Sequence, residues 1–123
     1  MILKTGIDLI EINRIRKALE RHGERFLERI FTPGEIAECR SRAESLAACF
    51  AAKEAIVKAL GTGIGPVSWT EVECLHHASG EPYLVLHGNA GRIAETLGLT
   101  NWAVSQSHSQ EMATAVVVAL GEK

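Results

Sequence analysis

Apolar residues along this 123-residue chain repeat every three or four positions through most of its first half and alternate through much of its second. Residues 1–10 are rich in aliphatic and β-branched side chains and predict a strand, with Gly6 near its middle. A glycine inside a strand marks a bulge or a close approach by another part of the molecule. Residues 11–22 carry Ile12, Ile15 and Leu19 at helical spacing, and Gly23 stands where a helix would end. Phe26, Leu27 and Ile30 continue the apolar pattern towards Phe31. Thr32-Pro33-Gly34-Glu35 has the form of a capping box with proline at the first helical position, predicting a helix to about Arg42. Ser45 opens a longer, alanine-rich helix over 46–60, stopped by Gly61-Thr62-Gly63. Residues 71–76 and 83–87 predict a hairpin. Residues 89–97 predict a helix capped by Asn89 and ended by Gly98, and residues 102–106 and 112–120 predict a closing antiparallel pair. The order β-α-α-α-β-β-α-β-β indicates an α+β fold, an antiparallel sheet covered by helices.

The last strand is apolar on both faces. Either it is central and covered by the chain's own helices, or one face meets another subunit. The length fits a single domain over residues 1–123. With 46% hydrophobic and 23% charged residues the composition is that of a folded globular chain. No apolar run reaches the ~20 residues of a membrane span, and no signal-peptide pattern opens the chain. Cys39, Cys49 and Cys74 are odd in number and form no C-x-x-C, which indicates neither a disulfide framework nor a zinc site. The expected location is cytoplasmic. Thirteen basic and fifteen acidic side chains give a net charge of -2, which excludes an overall basic nucleic-acid binder.

That charge is unevenly spread. Residues 14–29 hold six basic against three acidic side chains, a local +3 that leaves -5 elsewhere. Arg14, Lys17 and Arg21 share one helical face and Arg25 follows, a solvated stripe or a docking surface for an acidic protein. Asp8 lies among aliphatic residues and shares a strand face with Gly6, where bare backbone would let a ligand approach; the alternative is a strand residue facing water. Glu54 and Lys58 stand one helical turn apart, an ordinary ion pair or a carboxylate and an amine aimed at the glycine turn. Asp8 and Glu54 together suit a hard ion such as Mg2+, which takes carboxylates along with phosphate oxygens and water. The run from Gly61 through Gly63 to Gly65 follows a helix and lacks the features of a phosphate loop, so it reads first as a C-cap and turn. Ser105, Ser107, His108 and Ser109 offer donors for phosphate oxygens, or form a polar hairpin tip.

Taken together these segments resemble a known family, the holo-acyl-carrier-protein synthases, the short bacterial branch of the 4'-phosphopantetheinyl transferases. The resemblance rests on Gly6-Ile7-Asp8 with Arg14-Ile15, Phe31-Thr32 with Glu35, Phe50-Ala51-Ala52-Lys53-Glu54-Ala55, and Lys58-Ala59-Leu60-Gly61-Thr62-Gly63. Gly80-Glu81-Pro82-Tyr83 and the segment from Ser105 to Ser109 complete it. It implies transfer of phosphopantetheine from coenzyme A to a serine of apo-acyl carrier protein in fatty acid biosynthesis, releasing adenosine 3',5'-bisphosphate. By the same resemblance Asp8 and Glu54 hold Mg2+, Glu54 or a metal-ordered water takes the serine proton, and Lys58 contacts the pyrophosphate. His108 with Ser107 or Ser109 binds coenzyme A phosphates, Gly61 and Gly63 lie along the cofactor, and the stripe from Arg14 docks the carrier. Family members are trimers with sites between protomers. One departure is Cys49, where the family usually has a basic residue near the 3'-phosphate; Arg42 is a nearby substitute, and weaker discrimination against 3'-dephospho-coenzyme A is expected. Competing readings are a non-catalytic module binding an acidic protein through the first helix, and a transferase serving a polyketide or peptide synthase carrier.

Overall fold

A computed structural model describes residues 1–122; Lys123, the last residue of the expected domain range, lies outside them. The chain runs β1 (Ile2–Glu11), α1 (Ile12–His22), α2 (Glu24–Ile30), α3 (Pro33–Cys39), α4 (Ala43–Leu60), a 3-10 turn (Trp69–Glu71), β2 (Val72–His76), β3 (Pro82–Leu86), α5 (Gly88–Thr96), β4 (Leu99–His108) and β5 (Met112–Gly121). Two antiparallel sheets form, a three-stranded one in the order β1-β5-β4 and the hairpin β2-β3. The α+β class and the closing antiparallel pair agree with the sequence pattern.

Four local differences have identifiable causes. Gly23, with φ 54° and ψ -130°, separates α2 from α1, so Phe26, Leu27 and Ile30 belong to a helix of their own rather than to an extension. Helix α3 ends at Cys39 rather than Arg42 because Arg40 and Ser41 both turn left-handed, at φ 51° and 58°. That turn lets α4 begin at Ala43, earlier than the sequence predicts. Asn89 is not the cap of α5, since the helix begins at Gly88. The Asn89 side chain instead donates to Pro66 O, and the Glu71 carboxylate accepts its backbone N–H at 2.6 Å. An acidic group from outside thus satisfies an orphan donor of the helix start. The capping box at Thr32 is present in full.

β5 is the middle strand, and its two faces meet different surroundings. Ala113, Ala115, Val117 and Ala119 are buried against α4, with Gly6 and Ile10 of β1 on the same side. Alanines 51, 52, 55 and 59 of α4 are buried too, and small side chains let the helix sit low on the sheet. On the opposite face Leu3, Ile7 and Leu9 of β1 and Val116 and Leu120 of β5 remain exposed. No helix of the described residues is long and apolar enough to cross a membrane.

Candidate active site

The site begins with a glycine. A Cβ placed on Gly6 would stand 1.8 Å from Ala55 O and 3.0 Å from Ala59 N, so the strand and helix backbones touch there. The approach that Gly6 permits is therefore made by α4, and the sequence expectation of a ligand over that bare backbone is corrected. The consequence falls on Asp8, which lies two residues on and on the same face. It is carried to the side of α4, where Glu54 and Lys58 project one turn apart.

Lys58 Nζ donates to Ile7 O at 2.8 Å and lies 3.4 Å from Asp8 Oδ1. The ion pair of Lys58 is thus with Asp8 across the strand-helix joint. Glu54 is half-buried, and its carboxyl titrates above the ordinary range, first because burial removes water and second because Asp8 repels its charge; Lys58 offsets part of this. Glu54 and Asp8 together present carboxylate oxygens on one side of the joint, a set that a hard divalent cation would neutralise. Among the described residues no group of three or more His, Cys, Asp or Glu side chains assembles to hold a metal. The donor set therefore fits an ion that takes its remaining ligands from water and phosphate, as Mg2+ does.

Beyond Lys58 the helix closes on Gly61, whose N–H donates to Val57 O and Lys58 O with φ at 77°. A C-cap is its structural role. A Cβ on Gly61 or Gly63 would meet nothing within 4 Å, so this turn presents open backbone next to Lys58.

Ser107 and His108 lie elsewhere. At the end of β4 they line a cavity of ≈ 950 Å³ together with Arg40, Arg42, Cys49 and His76. Gln106 and Asp8 are both in register with Ala115, which puts their backbones two strand spacings apart, roughly 10 Å. One chain therefore brings Asp8, Glu54 and Lys58 together and leaves the Ser-His segment apart. Ser109 forms the hairpin tip, where its hydroxyl accepts from the backbone N–H groups of Glu111 and Met112. Cys49 is buried on the cavity wall. Arg42 donates from Nε to Cys39 O and from Nη2 to Glu38 O, which caps the end of α3 and holds the guanidinium at the same cavity. Arg14, Lys17 and Arg21 are exposed along α1, and Arg25 is exposed on α2 beyond the Gly23 break.

The sequence pattern leaves Lys53 without a role, and the structure assigns one. Its side chain is fully buried, with Nζ 2.6 Å from Glu35 Oε1 and 2.8 Å from Val72 O. Glu35 also accepts from Thr32 N and Cys74 N. The Thr32 hydroxyl donates to Glu73, whose other oxygen faces His87 Nε2 at 3.0 Å. This network joins α3, α4 and β2 and sets the direction of α4, hence that of Glu54. A lysine set between Ala51-Ala52 and Glu54-Ala55, on the packing side of an alanine-rich helix, was the available signal.

A family model described as the 4'-phosphopantetheinyl transferase superfamily matches residues 4–117. The holo-[acyl-carrier-protein] synthase of Herpetosiphon aurantiacus is 47% identical over 127 residues, covering 98% of this chain and 100% of the relative. That of Solidesulfovibrio magneticus is 50% identical over 123 residues, covering 98% and 100%. Among solved structures, the Helicobacter pylori holo-[acyl-carrier-protein] synthase in complex with coenzyme A superposes with a TM-score of 0.86 at 34% identity, covering 94% of this chain and 99% of that one. The coenzyme A complex of the Chronobacterium ammoniagenes enzyme gives a TM-score of 0.86 at 32% identity with both chains fully covered. With its strand-helix carboxylate pair, its sheet order and these full-length matches, the chain belongs to the 4'-phosphopantetheinyl transferase superfamily.

Proposed function

We propose that this chain is a holo-acyl-carrier-protein synthase, moving 4'-phosphopantetheine from coenzyme A to a serine of apo-acyl carrier protein in fatty acid biosynthesis. The observation that carries the reading is the joint at Gly6, which sets Asp8, Glu54 and Lys58 side by side. The serine oxygen bonds to the phosphorus bearing pantetheine, the bond to the bridging oxygen breaks, and adenosine 3',5'-bisphosphate leaves. Asp8 and Glu54 are the residues to hold Mg2+, which when bound would neutralise pyrophosphate charge and favour the leaving group. Glu54, with its raised affinity for a proton, takes the serine proton directly or through an ordered water. Lys58, tethered to Ile7 O and Asp8, keeps a positive charge beside the developing phosphate charge.

The Ser-His segment completes the site from a neighbouring copy. Two facts support this: Ser107 and His108 lie apart from Asp8 within one chain, and the outer face of the sheet exposes Leu3, Ile7, Leu9, Val116 and Leu120. A contiguous aliphatic face of this kind marks an interface, and a homotrimer of single-domain chains in the cytoplasm is the arrangement we favour. There Ser107, His108 and Ser109 meet coenzyme A phosphates while Gly61 and Gly63 border the cofactor. The exposed Arg14, Lys17, Arg21 and Arg25 receive the acidic carrier. With Cys49 on the cavity wall, the preference for coenzyme A over its 3'-dephospho form rises in Cys49→Arg; an unchanged kcat/KM ratio refutes that point. The test of the whole reading is incubation with apo-acyl carrier protein, coenzyme A and Mg2+, followed by intact mass of the carrier. A gain of phosphopantetheine is expected. An unchanged mass leaves the chain a non-catalytic carrier-binding module.

A further inference from the structure

A chain of hydrogen bonds, separate from the carboxylate site, lines the ≈ 950 Å³ cavity. Glu38, near the end of α3, is held twice by His76 of β2. Its Oε2 accepts from the His76 backbone N–H at 3.1 Å, and its Oε1 lies 3.0 Å from ring Nδ1. The other ring nitrogen, Nε2, stands 3.0 Å from Gln106 Oε1 on β4. Gln106 Nε2 in turn donates to Ala48 O of α4 at 2.9 Å. One imidazole thus links four elements, and β2 and β4 belong to different sheets. The acceptors in this chain fix its donors. Ala48 O can only accept, so the Gln106 amide turns its NH2 to that carbonyl and its oxygen to His76. An ionised carboxylate also can only accept, so Nδ1 carries a proton towards Glu38. Nε2 faces the Gln106 oxygen and must carry another. A neutral ring has a single N–H and would leave one of these contacts as oxygen against a lone pair. Only the imidazolium satisfies them all, and it sets a positive charge beside Glu38.

We propose that His76 is a positioning residue for the coenzyme A phosphates: as an imidazolium it neutralises Glu38 and holds the end of α3, with Arg42, against the end of β4, with His108. The identity of the ligand rests on the proposed transferase activity; the bridge itself does not. Two consequences of the geometry connect His76 to phosphate. Glu38 shares the cavity with Arg40, Arg42 and His108, and an unpaired carboxylate there would oppose any phosphate those groups attract. Glu38 also lends its backbone, since Glu38 O accepts from Arg42 Nη2, so fixing Glu38 fixes the arginine. On the far side, the bond to Gln106 pins the residue that directly precedes Ser107 and His108. His76 has both ring nitrogens engaged and acts through Arg42 and His108 rather than by touching the ligand.

The binding test is calorimetric titration of coenzyme A alone into the intact protein. His76→Ala should weaken Kd about tenfold, the scale of one charge-assisted hydrogen bond. In transfer assays the same variant should raise KM for coenzyme A by a similar factor, with kcat and the KM for apo-carrier within about twofold of the parent. Glu38→Gln is the conservative rescue. Its amide oxygen accepts the His76 backbone N–H, its NH2 donates to Nδ1, and a neutral ring donates from Nε2 to Gln106. It should therefore bind coenzyme A within about twofold of the parent. A second readout needs neither ligand nor catalysis: in long-range nitrogen–proton NMR spectra of the free protein, both His76 ring nitrogens should carry protons in the parent and only Nε2 in Glu38→Gln. An unchanged Kd in His76→Ala, a kcat that falls together with binding, a Glu38→Gln variant as weak as His76→Ala, or a singly protonated His76 ring in the parent overturns the proposal. If Kd and the spectra shift as expected while the parent never adds mass to the carrier, the transferase reading fails and the positioning role of His76 stands.

Discussion

Replacing Gly6 by alanine tests whether the strand-helix joint creates the site. The added Cβ would lie 1.8 Å from Ala55 O, where ordinary contact begins near 3.4 Å, so β1 and α4 must part by about 1.6 Å along that line. The obstacle is a helix carbonyl, with Ala55 C at 2.8 Å and Ala59 N at 3.0 Å, and no side chain can turn aside to relieve it. Overpacking costs about 1–3 kcal/mol where side chains adjust, and a backbone obstacle places this substitution at the upper end, ~3 kcal/mol. For a chain of this length that corresponds to a fall in Tm of roughly 12 °C. The same displacement moves Asp8 away from Glu54 and Lys58, and a misplacement of ~1 Å at a reacting centre costs about 100-fold in rate. Urea unfolding followed by circular dichroism measures the first effect, and Mg2+-dependent transfer to apo-carrier measures the second. Gly91→Ala is the control: its Cβ would meet Leu86 O at 3.5 Å inside α5, so stability should hold or rise by ~0.5–1 kcal/mol. If Gly6→Ala unfolds within ~0.5 kcal/mol of the parent and keeps its turnover, α4 is not seated on Gly6 and the geometry proposed for the site is wrong.

Other substitutions separate charge, packing and assembly. Glu54→Gln should lower turnover by about 10²–10⁴-fold while leaving the fold intact. The raised proton affinity of Glu54 means that the folded chain holds a proton the unfolded chain has released, so stability falls as pH rises from the ordinary carboxylate range through the raised value. Glu54→Gln should flatten that slope in Tm against pH, and an identical slope would exclude Glu54 as its source. Mg2+ should raise the Tm of the parent and leave Asp8→Asn unaffected, by scanning calorimetry; equal shifts in both would place the ion elsewhere. Lys53→Ala strands the buried Glu35 and should cost about 3–5 kcal/mol in guanidinium unfolding, whereas a loss under ~1 kcal/mol would contradict the buried pair. Val116→Glu puts a charge at the centre of the open sheet face, opposite Ile7, and should yield monomers in analytical ultracentrifugation; an unchanged sedimentation coefficient would remove that face from the interface.

Local signals were strong where a few adjacent residues decide the outcome. Thr32, Pro33 and Glu35 specify a helix start through bonds spanning three residues, and Gly61 specifies a helix end through its own positive φ, so both were legible in the sequence. The class and the closing strand pair followed from period, and residue type singled out Asp8, Glu54 and Lys58 as candidates. Asn89 misled because its usual capping role was displaced by Glu71, a residue eighteen positions away that only folding brings near. Gly6 was legible as a point of close approach, but pattern has no term for what approaches, and the answer is the carbonyl of Ala55. The same holds for Lys58, whose sequence neighbour at one helical turn is Glu54 and whose partner in space is Asp8. The Lys53–Glu35 pair, and the placing of Cys39, Cys49 and Cys74 along one cavity, are likewise products of α3, α4 and β2 packing together. Periodicity and capping depend on separations of a few residues and belong to the sequence alone. Which carboxylate meets which amine depends on where whole elements come to rest, and that is decided by packing of backbones and small side chains over the full chain.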